Sequence, residues 1–240
     1  MLVSQHAELL DITIPNLLKW CNWILLVMEN ETPEVEQKVY EFQKQYHKRI
    51  FVRRSSFPHK IFVKGREQTY RQRWKGLKGQ IRDEVFMHIR NIQDYKMKGY
   101  ENIDALIFQD SDEIFTDYLL ELLDKFWESD YKAITMKPVD VVGDLQTIKS
   151  TSKGHHVFIM KWNRELRGLP RRSWALYHPL CVSDLMRVEY YSVHLACLND
   201  IIRKWRNKEW KKDDVEGSKL YKLDKNVTEM RPDEIKNILK

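Results

Sequence analysis

The sequence predicts an α/β fold built on a mainly parallel sheet, and three features predict it. Short apolar runs alternate with amphipathic stretches through the first half of the chain. Helix-starting residues precede those stretches, and turn residues follow the runs. The acidic block "DSDE" comes directly after one apolar run, at the strand end where ligands of such sheets gather.

"MLVSQ" reads as the first strand. Asp11 to Cys21 carries Ile12, Leu17, Leu18 and Trp20 at loosely helical spacing, with Pro15 near its start. "NWILLVM" is a buried strand and "ENETPE" a turn, with Thr32 as N-cap and Pro33 at the first helical position. Val35, Val39, Phe42 and Tyr46 then mark an amphipathic helix, and "RIFVRR" a third strand. Residues 54–80 are irregular, basic and aromatic, broken by Pro58, Gly65, Gly76 and Gly79. A helix is expected from about Ile81 to Tyr95, a fourth strand at "IDALIFQD", and a helix capped by Thr116 at "TDYLLELLDKFWESD". "YKAITMKPVDVV", "GHHVFIMKW" and "RVEYYSVHL" are further strands, and "CLNDIIRKWRNKEWKK" is a basic amphipathic helix. From about Asp213 the chain reads as a loosely docked polar tail. No linker or repeat divides it.

Length and composition suit a globular chain with a real core: 240 residues, 42% hydrophobic and 32% charged. Eight Trp and eleven Tyr favour binding surfaces as well as cores. The start, "MLVSQHAELLD", lacks a signal-peptide pattern, and the strongest apolar run, Trp23–Met28, is far short of the ~20 residues that span a bilayer. Cys21, Cys181 and Cys197 are far apart in apolar surroundings and read as reduced core residues. The expectation is a cytoplasmic chain without a zinc site.

The net charge of +6 conceals alternating blocks. Residues 44–98 carry 16 basic against 4 acidic residues, residues 99–148 carry 3 against 12, and residues 149–212 carry 14 against 5. "DSDE" therefore lies in an acidic segment between two basic ones, which reads either as alternating solvated faces or as a metal-binding carboxylate site edged by the positive charge that a polyphosphate or polyanion would need. In an extended chain Asp110 and Asp112 face the same way. Two carboxylates so placed make a partial shell for Mg²⁺ or Mn²⁺, which take oxygen ligands and leave room for substrate phosphates.

"DALIFQDSDEIF", with "GQIRDEV" in the helix before it and "WILLVMENETPE" at the second strand, resembles the GT-A fold glycosyltransferases. The likeness is greatest to the inverting family 2 type and covers roughly residues 1–136, with one further match near His194. It implies a GT-A, Rossmann-like sheet flanked by helices in a single domain over residues 1–212. Residues 1–145 would be the nucleotide-sugar-binding half, 146–212 the acceptor side, and 213–240 a tail. The implied activity is a metal-dependent, inverting hexosyl- or pentosyltransferase using a nucleoside-diphosphate sugar. Gln5, His6 and Glu29 would edge the base or ribose, and Arg82 would approach the phosphates. Asp110 would face ribose and metal, Asp112 would bind the metal, and His194 would be its third ligand. Glu29, Glu31, Pro33 and Asp83 depart from the family's usual Asp, Gly, Thr and Asn at those places. An inverting reaction also needs a carboxylate base. Asp184 and Glu189 are the candidates, with Glu165 behind them.

The stretches 70–78, 167–174 and 203–212 mix Arg and Lys with Tyr or Trp, which suits phosphate contact plus stacking. A polyanionic acceptor such as DNA carrying a hydroxymethylated base fits them, as does a glycan or phosphorylated lipid precursor. The competing class is a non-catalytic, basic nucleic-acid-binding protein.

Overall fold

The computed structural model describes residues 1–3, 6–28, 32–54, 62–63, 66–67, 84–94, 103–149, 156–165, 167–168, 176–177, 184–199, 204, 215 and 218–240. Strands β1 (Leu2–Val3), β2 (Ile24–Met28) and β3 (Ile50–Arg54) form a parallel sheet in that order. Parallel neighbours need crossover connections. Helices α1 (Ala7–Leu18) and α2 (Pro33–Gln45) supply them. Thr32 caps α2 as expected, its Oγ1 accepting from the Val35 N–H at 3.4 Å, with Pro33 in the first turn. Helix α1 starts and ends earlier than Asp11–Cys21, and Pro15 lies inside it. Burial of Leu9, Leu10, Ile14 and Leu17 outweighs the one N–H that proline lacks.

Two short ribbons pair β4 (Phe62–Val63) with β5 (Arg66–Glu67), and β11 (Arg167–Gly168) with β12 (Leu176–Tyr177). The larger sheet has seven strands: β6 (Ala105–Ile107), β7 (Glu113–Phe115), β8 (Ala133–Val142), β9 (Asp144–Lys149), β10 (His156–Lys161), β13 (Leu185–Cys197) and β14 (Leu220–Lys222). Strand β8 is its axis. Along one edge β13 runs parallel to it, while β10 and β9 pair antiparallel with the two ends of the other edge. Antiparallel pairs β10–β6, β13–β7 and β9–β14 complete the sheet.

The expected mainly parallel sheet is thus corrected. The molecule is mixed α/β, and among the described strands only the small sheet and the β8–β13 pair are parallel. A strand buried on both faces is an apolar run whichever way its neighbour points. Direction is set instead by connections such as the tight β8–β9 turn, where Gly143 adopts φ +76°.

Helix α4 (Leu119–Trp127) follows β7. Its N-cap is Tyr118 rather than the expected Thr116, whose buried hydroxyl has no hydrogen bond among the described residues. Thr116 contributes its backbone carbonyl instead, to the Leu119 N–H at 3.2 Å. One core cluster runs through both sheets and joins Val3, Leu10, Ile14 and Leu26 to Phe115, Leu122, Phe126, Ile134 and Met136. Helix α3 (84–94) packs Phe86 and Ile89 against Leu106, Met160 and Trp162.

Strand alternation in β8 turns Ile134 and Met136 to that first core and Val139 and Val141 to the opposite face. The C-terminal segment covers the opposite face. Leu223 just after β14, Val227 and Met230 in and after a 3₁₀ turn (Val227–Glu229), and Ile235 of α5 (Pro232–Ile238) are all buried there. The segment read as a loosely docked tail is therefore packed from Leu220 onward. Of the expected basic helix, Cys197 closes β13, and residues beyond 199 other than Lys204 lie outside the described set.

A surface ion pair marks the β14–β9 junction, where Lys222 Nζ donates to Asp144 Oδ2 at 2.7 Å. The ammonium of Lys222 holds the Asp144 carboxyl down to about 2. A depressed carboxylate contributes stability above its unfolded pKa of about 3.9 and loses it as pH falls through the folded value. The Asp144 carboxyl followed by NMR should therefore titrate near 2 in the native chain. It should rise toward the ordinary range in Lys222→Met.

Candidate functional site

"DSDE" is a turn, not the extended stretch expected. The Glu113 N–H donates to the Asp110 carbonyl at 3.2 Å, closing four residues in the pattern of a β-turn. Asp and Ser favour such turns because their short side chains bond local backbone. Glu113 is buried at the start of β7, and its Oε2 accepts the Asp110 N–H at 3.2 Å. Of the three clustered carboxylates, this one stabilises the turn. Gln109 donates to the Glu113 carbonyl from the other side.

Asp112 leaves the turn toward β13. Its backbone carbonyl accepts the Leu195 N–H at 2.7 Å, and its Oδ2 lies 3.3 Å from His194 Nε2. The sequence separates Asp112 from His194 by most of α4, β8, β9, β10 and β13, and the fold brings them together. Asp110 is half-buried one turn residue away.

The other ring nitrogen of His194 has a partner that sequence reading missed. Nδ1 lies 2.8 Å from Asp140 Oδ1, and Asp140 Oδ2 lies 3.5 Å from Lys149 Nζ. The sheet register explains the row: Lys149 on β9 stands opposite Asp140 on β8, which stands opposite His194 on β13, which stands opposite Glu113 on β7. Directly opposed residues share a face and lie within side-chain reach. All four are under 9% exposed, so ionisable groups that are almost never buried unpaired run in a line through the sheet. The clue was available in "PVDVV", "TIKS" and "SVHLAC", each a lone ionisable residue in an apolar strand that needs a partner.

Strand β13 reaches this register through a bulge. Between Glu189–Lys137 and Val193–Val139 it carries two residues more than β8, opposite Pro138. Proline has no N–H for the ladder, so the partner strand bows away there. Tyr190, inside the bulge, adopts φ 64°, a left-handed conformation costly for a non-glycine residue.

The remaining sequence candidates divide cleanly. Asp184 precedes β13, and its carbonyl accepts the Lys132 N–H at 2.9 Å. At ~3.3 Å per residue it lies about 30 Å of strand from His194, at the opposite end. Glu189 is nearer, but its carboxylate pairs with Lys236 at 3.1 Å and Lys137 at 3.8 Å. Glu165 is exposed in a turn after β10. Strand position rather than sequence proximity decides which end of the sheet a side chain occupies. His6 caps α1 in a left-handed conformation (φ 67°) with its ring largely buried and Nδ1 3.7 Å from Glu8. Gln5, Glu29 and Arg82 lie outside the described residues.

Among the described residues no three His, Cys, Asp or Glu side chains converge as a complete metal shell. The Asp112–His194 pair nevertheless fits two positions of one. Ligand atoms each ~2.1 Å from an octahedral ion stand about 3 Å apart at a right angle, close to the 3.3 Å seen here. The donor set, one carboxylate oxygen and one imidazole nitrogen without a thiolate, admits Mn²⁺ and equally a borderline ion such as zinc or iron, and suits Mg²⁺ less.

Neither a protein-family model nor a curated protein matches this chain. Among solved structures, one assigned as a glucose-1-phosphate thymidylyltransferase from Bacillus anthracis, in complex with a sucrose, is similar over 91% of this chain and 96% of its own. The identity is 12% and the TM-score 0.38, a likeness too slight to bear on fold or chemistry. No helix among the described residues is long and apolar enough to cross a membrane.

Proposed function

We propose that the chain is a metal-dependent glycosyltransferase of the GT-A type. It would move a sugar from a nucleoside diphosphate to a hydroxyl acceptor. The supporting observation is the Asp112–His194 contact: two residues of the types that share a divalent ion, far apart in sequence, stand 3.3 Å from each other. The sequence resemblance supplies the reaction class.

In this reading Asp112 Oδ2 and His194 Nε2 hold Mn²⁺ or Mg²⁺, and Asp110 faces the donor. The bound ion supplies charge neutralisation on the departing diphosphate. Glu113 and Gln109 keep the turn rigid so that Asp112 does not have to be ordered when the donor binds. Gln5, His6, Glu29 and Arg82 stay as the proposed nucleotide contacts. For the base, Glu189 is the nearer of the two candidates to His194 along β13, held beside Lys137 and Lys236, while Asp184 stands before the other end of that strand. The acceptor is a hydroxyl compound; the basic aromatic stretches would favour a polyanionic one, such as modified DNA.

Melting the protein with a panel of nucleoside diphosphates, with and without Mn²⁺, tests this. A ligand at ~100 times its dissociation constant adds about 2.7 kcal/mol, or roughly 5–10 °C for a chain of this size. One nucleotide should raise the melting temperature only with Mn²⁺, and Asp112→Asn should abolish the rise. Absence of a shift with every nucleotide overturns the transferase reading in favour of a nucleic-acid-binding protein.

A further inference from the structure

Asp140 belongs to no motif and touches no proposed substrate, yet it is 6% exposed and 2.8 Å from the imidazole of His194. A carboxylate can only accept, so the contact requires hydrogen on Nδ1. A metal-binding histidine must offer an unprotonated nitrogen, and the group bonded to the other nitrogen decides which one that is. With Nδ1–H committed to Asp140, Nε2 is the nitrogen left to face Asp112.

We infer that Asp140, braced by Lys149, is a positioning residue: it fixes the ring orientation and tautomer with which His194 meets a divalent cation beside Asp112. The inference rests on the metal reading above for the cation, and on the geometry alone for the ring. Asp140 is not itself a ligand, because it occupies the side of the ring away from Asp112. Lys149 has the supporting part. Its Nζ, 3.5 Å from Asp140 Oδ2, balances a carboxylate that would otherwise stand buried next to a second one across the imidazole. The register makes the arrangement rigid, since Lys149, Asp140 and His194 are opposed positions on three adjacent strands. Tyr221 and Leu220 on β14 hold β9 in place behind them.

A purely structural ion-pair row would give a different result from a positioning one. Asp140→Asn keeps the shape and one acceptor oxygen but removes the charge. The Asp140→Asn/Lys149→Met double variant leaves no lone buried charge and keeps the test open should the single variant fold poorly. Mn²⁺ affinity, read from the paramagnetic resonance of the free ion, is measured on the native chain, both variants and Asp112→Asn. Ring ¹⁵N–¹H spectra of His194 are recorded without metal. Both Asp140 variants should bind Mn²⁺ 10–100-fold more weakly than the native chain, as loss of a partner behind a metal ligand does elsewhere.

Where the native chain binds Mn²⁺, affinity decides, and a change of less than twofold in both variants overturns the inference. A native chain that binds no Mn²⁺ fails the metal reading instead. The ring spectrum then decides: a protected Nδ1 proton in the native chain that exchanges measurably faster or shifts upfield in both variants, as a weaker acceptor requires, upholds the positioning role, and an unchanged or absent native signal overturns it.

Discussion

Lys149→Met is expected to destabilise the protein by about 3–5 kcal/mol, the range for breaking a buried ion pair on one side. Lys149 is 5% exposed and its partner, Asp140, 6%. Methionine fills the space of the lysine stem but does not replace the ammonium beside Asp140 Oδ2. For a chain of this length that cost lowers the melting temperature by roughly 6–20 °C. Adding Asp140→Asn should return most of the loss, because a neutral amide beside an apolar side chain carries no uncompensated charge. Thermal melts of the two single variants and the double variant form the cycle that measures the coupling. A Lys149→Met cost under 1 kcal/mol would show that the row is not a closed electrostatic unit.

The second large effect lies in α1. Asn16 is 7% exposed, and its side-chain amide bonds both backbone groups of Phe115: Nδ2 donates to the carbonyl at 2.9 Å and Oδ1 accepts the N–H at 2.8 Å. One side chain thereby pairs a β7 residue as a neighbouring strand would, and ties the helix of the small sheet to the edge of the large one. Asn16→Leu leaves a buried donor and a buried acceptor without partners, at ~1–3 kcal/mol each. The expected total is about 2–6 kcal/mol by urea denaturation. Gln37→Ala, on the exposed face of α2, should stay within ~0.5 kcal/mol. Equal costs for the two substitutions would refute the clamp.

The sequence revealed the local structure better than the way its elements assemble. The Thr32–Pro33 start of α2 was readable because cap and helix lie within a few residues. The meeting of Asp112 with His194 was expected through the family resemblance alone, since a single histidine on an apolar strand does not by itself name its partner. Pairing direction was not readable. The run "AITMKPVDVV" is buried on both faces in β8, and nothing in such a run says that β9 and β10 oppose it while β13 follows it. Thr116 misled for a related reason: it has cap chemistry, but tertiary packing moved the helix start to Leu119 and buried the hydroxyl. Asp184 and Glu189 look close to His194 on paper, but Asp184 precedes the far end of the 13-residue β13 and the Glu189 carboxylate faces Lys137 and Lys236. Asn16 gave no signal at all, being one polar residue on a helix.

Pro138 sits where the β8–β13 ladder changes phase ahead of His194. Residues 185–189 count against 133–137, and after the looped-out stretch the numbering restarts at Val193. Of the ladder's two register shifts, one of a single residue follows the imidazole between His194 and Cys197, and the larger lies upstream of it. Gains or losses of length in the early part of β13 can be absorbed there without rotating His194 to the wrong side of the sheet. Past Val193 no such reserve separates His194 from Asp140, and a single-residue slip would swap its ring for an aliphatic neighbour.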